Sequence, residues 1–167
     1  LLIRENTSSK LSFTSENFSA RITLEKDQLN KLDDGVWVNY PLGILNEFKS
    51  SGKTLNGFDA YYAGNIPPAA GLSSSASIEM VTAFATNQLL DAGYNTLDLV
   101  NLCKKSENDF IGVNCGIMDM FAIGFGKKNH AIALNCDTLD FDYAPLELKN
   151  LCFVVSNTNK KRGLADS

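Results

Sequence analysis

Between positions 64 and 76 the chain runs Gly-Asn-Ile-Pro-Pro-Ala-Ala-Gly-Leu-Ser-Ser-Ser-Ala, small residues and serines leading into a long apolar-periodic segment. Ala69, Ala70 and Gly71 leave the backbone open to close approach, and Leu72, Ser73, Ser74 and Ser75 carry the chain into the helix. The first turn of any α-helix has N–H groups without internal partners, and the helix dipole adds partial positive charge there. A small-residue loop ahead of such a turn, with three hydroxyl groups, can hold a phosphate or another anion. The plainer reading of the same residues is a turn followed by serine N-caps. The segment lacks the Gly-Lys-Ser/Thr end of a Walker A loop. If a nucleoside triphosphate binds here, charge neutralisation has to come from Mg²⁺ and a basic group elsewhere.

Phosphoryl transfer needs an acidic ligand for Mg²⁺ and a carboxylate that takes or orients the acceptor's proton. Asp119 lies in Asn114-Cys115-Gly116-Ile117-Met118-Asp119-Met120-Phe121 with apolar residues on both sides. Those neighbours predict burial, and a buried carboxylate needs a partner or a function; the structural alternative is a cap or a simple acceptor. Gly116, three residues earlier, allows either a close backbone approach to a ligand or an ordinary turn. Glu107, with Lys104 one turn before it, reads in isolation as half of a solvated surface ion pair. His130, the one histidine, follows Gly126-Lys127-Lys128-Asn129 and reads as a turn residue, so it builds no catalytic triad. Trp37 can stack on a base, but an amphipathic helix puts a Trp in the core first.

The elements that position these groups follow from periodicity. Residues 10–24 alternate apolar and polar about a Ser/Asn-rich break and predict two strands of a hairpin or meander. Residues 25–35 read as a loop. Residues 36–48 fit one broad helical face with Pro41 near the start, where its missing N–H matters least, and Ser50-Ser51-Gly52 ends the helix. A strand is expected over 57–63, a Gly/Pro-rich loop over 64–71, and helices over 74–90, 96–110 and 116–125. Further strands are expected over 130–134, 141–144 and 151–156. Strands and helices mix without a regular βαβ rhythm, which favours α+β over a doubly wound sheet.

The chain has 167 residues, 44% hydrophobic and 20% charged, with a formal net charge of -4. That size suits one domain, or one domain and the start of another. The acidic balance argues against nucleic acid or an anionic membrane as the main partner. None of the four cysteines (Cys103, Cys115, Cys136, Cys152) makes a Cys-x-x-Cys pair, so neither zinc nor a redox pair is suggested, and reduced thiols are expected. No apolar run approaches a membrane span, and the opening residues lack the order of a signal peptide. A cytoplasmic protein is the expectation. Both ends read as cut: there is no initiator Met, and Asp166-Ser167 carries no tail or turn signal.

Ile66 to Ser77 resembles the second motif of the GHMP kinases, and within that superfamily the chain looks most like the galactokinases. Supporting segments are Trp37-Val38-Asn39-Tyr40, Gly112 to Phe121, Asn135 to Leu139 and Val154 to Asn159. The resemblance implies an α+β fold: a GHMP kinase N-terminal domain, like ribosomal protein S5 domain 2, over 1–150, and the start of a ferredoxin-like C-terminal domain over 151–167. It implies ATP and Mg²⁺, with galactose phosphorylated at its C1 hydroxyl as a step of galactose metabolism. Residues Ala69 to Ser75 would wrap the ATP phosphates; Ser75 and Glu107 would hold Mg²⁺; Asp119 would act as base. Gly116 and Asp119 would contact galactose, and Trp37 and Ser15 would lie near the adenine. A monomer is implied. Ala69 stands where the family has its first loop glycine, and Met120 where it has Gln. The family's early Gly-Arg-Val-Asn-Leu-Ile-Gly-Glu-His-like segment, which supplies an arginine and most sugar contacts, does not occur, so the chain reads as a kinase interior that would not turn over alone. Rival readings are an N-acetylgalactosamine kinase and a non-catalytic galactose- and ATP-sensing relative.

Overall fold

A computed structural model describes residues 1–67 and 70–156. Four strands, β1 (Leu2–Glu5), β2 (Lys10–Ser15), β3 (Ile22–Glu25) and β4 (Phe58–Tyr62), form a sheet in the order β1-β4-β2-β3. The β2–β4 pairing is parallel and the other two are antiparallel. Helices α1 (Asn39–Ser50), α2 (Ser74–Leu89) and α3 (Thr96–Lys105) follow, then a π-helical segment (Ser106–Ile111), the short α4 (Met118–Gly124) and a hairpin of β5 (His130–Leu134) and β6 (Phe141–Pro145). The fold is α+β, as the mixture of periodicities implies.

Helix α1 separates two cores. Leu42 and Leu45 face the sheet with Leu11, Phe13, Phe58 and Tyr62. Ile44 and Phe48 face the helical layer with Ala76, Met80, Val100, Cys103, Met120 and Phe121. Each side of the helix therefore buries apolar area, the main favourable term in folding. The buried Asn39 ties the preceding loop to this wall: its Oδ1 accepts from the Leu32 N–H at 2.7 Å, and its Nδ2 donates to the carbonyls of Leu32 and Asp33. A capping box fixes the start of α3, with Asn95 Oδ1 accepting from Asp98 N and Asp98 Oδ2 from Asn95 N.

Four expectations need correction. Residues 36–38 form a turn ahead of α1, which starts at Asn39. Strand β1 has no counterpart among the expected elements; it pairs with β4 across more than fifty residues of sequence, a contact that no local pattern announces. The helix expected over 96–110 changes winding at Ser106. The α-helical hydrogen-bond pattern gives way there, and the Glu107 carbonyl accepts from both Gly112 N and Val113 N at 3.0 Å. The strand expected over 151–156 is not formed: these residues are irregular, with Leu151, Phe153, Val154 and Val155 exposed. An apolar run becomes a strand only when another strand satisfies its backbone groups, and none of the described strands does so.

Candidate active site

The parallel pairing of β2 with β4 sets Ser15 opposite Tyr62, where β4 hands the chain to the small-residue loop. Trp37 gathers at the same end of the sheet, stacked on the ring of Phe18 (centroids 5.8 Å, interplanar 10°) and edge-on to Tyr62 (5.3 Å). Asn17 Nδ2 donates to the Gly64 carbonyl at 3.0 Å, and Ser15 Oγ accepts from the Asn17 N–H at 3.1 Å. Trp37 is 8% exposed, and its buried Nε1 has no partner among the described residues.

Within the loop, Ala69 lies outside the described residues. Ala70 is half-buried, Gly71 and Leu72 are exposed, and Ser74 and Ser75 are half-buried in the first turn of α2. Gly71 (φ 70) and Ser73 (φ 55) both adopt left-handed backbone, the kind of alternation that turns successive N–H groups toward one concavity. Ser73 occupies the N-cap position but makes no side-chain cap bond. The Ser73 side chain therefore does not cap α2, and among the described residues no serine side chain bonds to the first-turn N–H groups.

Ser75 and Glu79 are one turn apart and share a face of α2. Glu79 is 0% exposed, and Glu107 in the π-helical segment is 4% exposed. The reading of Glu107 as half of a surface pair with Lys104 is therefore wrong. It is Lys105 that makes surface pairs, with Glu47 at 2.6 Å and Asp109 at 3.5 Å. Ser106 Oγ donates to Glu79 Oε1 at 3.5 Å, while Glu79 Oε2 is buried without a partner among the described residues. Burial, then the neighbouring Glu107 charge, pushes the Glu79 carboxyl up to about 9, against the Ser106 hydrogen bond.

Three further groups feel both carboxylates. Burial raises Tyr40, followed by the charges of Glu107 and Glu79. Burial also holds Cys103 well above the usual thiol range, again with Glu79 and Glu107 behind it. Cys115 is pushed up to about 12 by burial and then by the neighbouring Glu107, while its Sγ donates to Asn108 Oδ1 at 3.3 Å. Both thiols stay protonated near neutrality and are poor nucleophiles.

Asp119 stands in the first turn of α4, half-buried instead of enclosed as its apolar neighbours predict. Ile117, Met120 and Phe121 turn into the core while Met118 faces solvent, which leaves Asp119 at the rim. No side-chain hydrogen bond or ion pair to it occurs among the described residues. Gly116 is exposed, with open space where a side chain would be. Helices α2 and α4 pack together, sharing a core in which Ala76 and Met80 meet Ile117, Met120 and Phe121. The first turns of α2 and α4 are therefore carried by one packed unit. Met120, expected as a departure from a family pattern, is fully buried in that core.

Sequence reasoning missed Glu79, Ser106, Tyr40 and Phe18. Glu79 had a signal: it is the one charged residue of the 16-residue α2. An isolated carboxyl on an otherwise apolar helix marks a site or a buried acceptor.

The pattern "GHMP kinases N terminal domain" matches residues 39–127. The chain belongs to the GHMP kinases. A galactokinase of Bacillus subtilis is 46% identical over 170 residues, covering 99% of this chain and 43% of its own length. One from Fusobacterium nucleatum is 51% identical over 139 residues, covering 83% of this chain and 35% of its own. The Lactococcus lactis galactokinase solved with galactose superposes with a TM-score of 0.83 at 37% identity, over 93% of this chain and 43% of that one. A Methanococcus jannaschii mevalonate kinase (TM-score 0.65, 21% identity) shares the fold. This GHMP kinase chain spans less than half the length of the curated relatives it matches. Ser75 and Glu107 themselves offer hard oxygen donors, the kind that suits Mg²⁺. Among the described residues no three His, Cys, Asp or Glu side chains form a metal cluster.

Proposed function

We propose that this chain is the nucleotide-binding part of a galactokinase, the protein that contains it transferring the γ-phosphoryl group of ATP to the C1 hydroxyl of galactose. The observation that carries this is the 46% identity to a galactokinase across 99% of the chain, supported by a loop whose N-cap Ser73 makes no side-chain cap bond and by the buried Glu79 and Glu107 side chains. Residues Ala69 to Ser75 surround the ATP phosphates, and their N–H groups offset charge as the phosphoryl moves. Ser75 and Glu107 hold Mg²⁺, which when bound offsets charge on the phosphate oxygens. Trp37 and Ser15 border the adenine, and the unpartnered Trp37 Nε1 suits a boundary that a base completes.

Asp119 takes or orients the proton of the sugar's C1 hydroxyl, whose oxygen attacks the γ-phosphorus in line. Its place at the rim, without a competing partner among the described residues, is what an acceptor of substrate protons needs. Gly116 contacts the sugar alongside it. Residues 1–150 belong to the first domain and 151–167 open the second, for which the exposed apolar residues 151–155 supply the covering surface. The protein is a cytoplasmic monomer in this reading, and neither nucleic acid nor a membrane is a partner.

The test is phosphorus NMR of the full-length protein with Mg-ATP and either galactose or N-acetylgalactosamine. Galactose 1-phosphate with ADP supports the proposal. Preference for the N-acetylated sugar, or binding of both ligands without ADP release, refutes it.

A further inference from the structure

Glu79 has no role in the phosphoryl transfer proposed for Ser75, Glu107 and Asp119, yet burying a carboxyl group without full hydrogen bonding is costly. No Lys or Arg pairs with it among the described residues, Oε2 has no partner, and its one hydrogen bond is to Ser106. A leucine or methionine would fill the same space at lower cost if packing were its only role. Ser106 is fully buried as well. Its space exists because α1 carries Gly43 opposite: a side chain at Gly43 would collide with Ser106 Oγ and come within 3.1 Å of the Phe110 ring. Ser106 opens the π-helical segment and Glu107 is its next residue. Such wide turns occur often at functional sites. Ser75 lies one turn before Glu79 on the same face of α2.

We propose that Glu79 is a positioning residue for the cation-binding pair: from under the first turn of α2 it holds Ser106, and through Ser106 the wide turn that carries Glu107, fixing Glu107 relative to Ser75. This rests on the reading of Ser75 and Glu107 as the cation ligands. Loss of a group behind a ligand that fixes the ligand's orientation weakens metal binding about 10–100-fold. The acceptor oxygen and the shape of Glu79 carry the effect, so glutamine replaces it and methionine does not.

The experiment uses the full-length protein as wild type, Glu79→Gln, Glu79→Met, Ser106→Ala and Glu107→Gln. Three quantities are measured: the free Mg²⁺ concentration for half-maximal turnover, the calorimetric affinity for Mg-ATP, and the melting temperature. Glu79→Met and Ser106→Ala are expected to raise the Mg²⁺ requirement about tenfold and to weaken Mg-ATP binding in parallel. Glu79→Gln is expected to stay within about threefold of wild type on both. The inference is overturned if Glu79→Met and Ser106→Ala melt lower but keep the wild-type Mg²⁺ response, which is the behaviour of plain packing residues. It is equally overturned if Glu79→Gln is as impaired as Glu79→Met. Should Glu79→Met fail to fold, Ser106→Ala decides alone. An unchanged Mg²⁺ response in Glu107→Gln removes the ligand assignment instead, which separates failure of that reading from failure of this inference. A wild type that binds Mg-ATP without turnover still gives the calorimetric answer.

Discussion

The charge state of Glu79 can be tested through stability. Burial raises its carboxyl from an ordinary 4.5 to about 9, so the folded protein keeps this proton across the neutral range while the unfolded chain releases it. The group's contribution is fully present below pH 4.5 and declines as pH rises, until the folded form also ionises near 9. Inside that window each pH unit costs about 1.4 kcal/mol. Between pH 6 and pH 8 the wild type should lose about 3 kcal/mol that Glu79→Gln, which cannot titrate, does not. This is a large share of the roughly 5–15 kcal/mol typical of a folded protein. Urea unfolding of both proteins at pH 6, 7 and 8 with a chelator present gives the comparison, and titrations common to both cancel in the difference. Glu79→Gln should gain on the wild type by more than about 1 kcal/mol per pH unit. Stability curves that stay parallel from pH 6 to pH 8 would show that Glu79 is ionised in the folded protein, and the argument from burial would be wrong.

Two further substitutions probe the surroundings. Gly43→Ala puts a methyl group against Ser106 and Phe110 and should destabilise by about 1–3 kcal/mol through overpacking, read by thermal melting. Gly71→Ala meets no neighbour among the described residues but must adopt φ 70. It should cost about 1–2 kcal/mol of loop conformation and appear as a several-fold higher KM for ATP, with little change in melting temperature.

The phosphate loop is legible in the sequence because its chemistry is local: small residues, serines and an apolar-periodic helix lie next to one another. Asp119 is legible in the same way, although its neighbours overstate its burial. Glu107 is misjudged when read from a single partner, Lys104. The stripe Val100, Cys103, Glu107 follows i, i+3, i+7 spacing and points to the buried face, and all three residues are buried. The wide turn at Ser106 is beyond any such count, since it depends on the space that Gly43 leaves on another helix. The meeting of Ser15, Phe18, Trp37 and Tyr62 depends on parallel pairing of β2 with β4, and β1 on a partner strand far away in sequence. For residues 151–156 an apolar run alone is not enough to make a strand.

In the proposed mechanism the loop before α2 and the carboxylate on α4 serve one cleft, because Ala76 and Met120 lie in the same core. The most direct test is Asp119→Asn in the full-length protein, with sugar-dependent ADP release and calorimetric Mg-ATP binding measured on one preparation. Turnover should fall at least about 10²-fold while Mg-ATP affinity stays within about twofold of wild type. Turnover near the wild-type rate would contradict that mechanism.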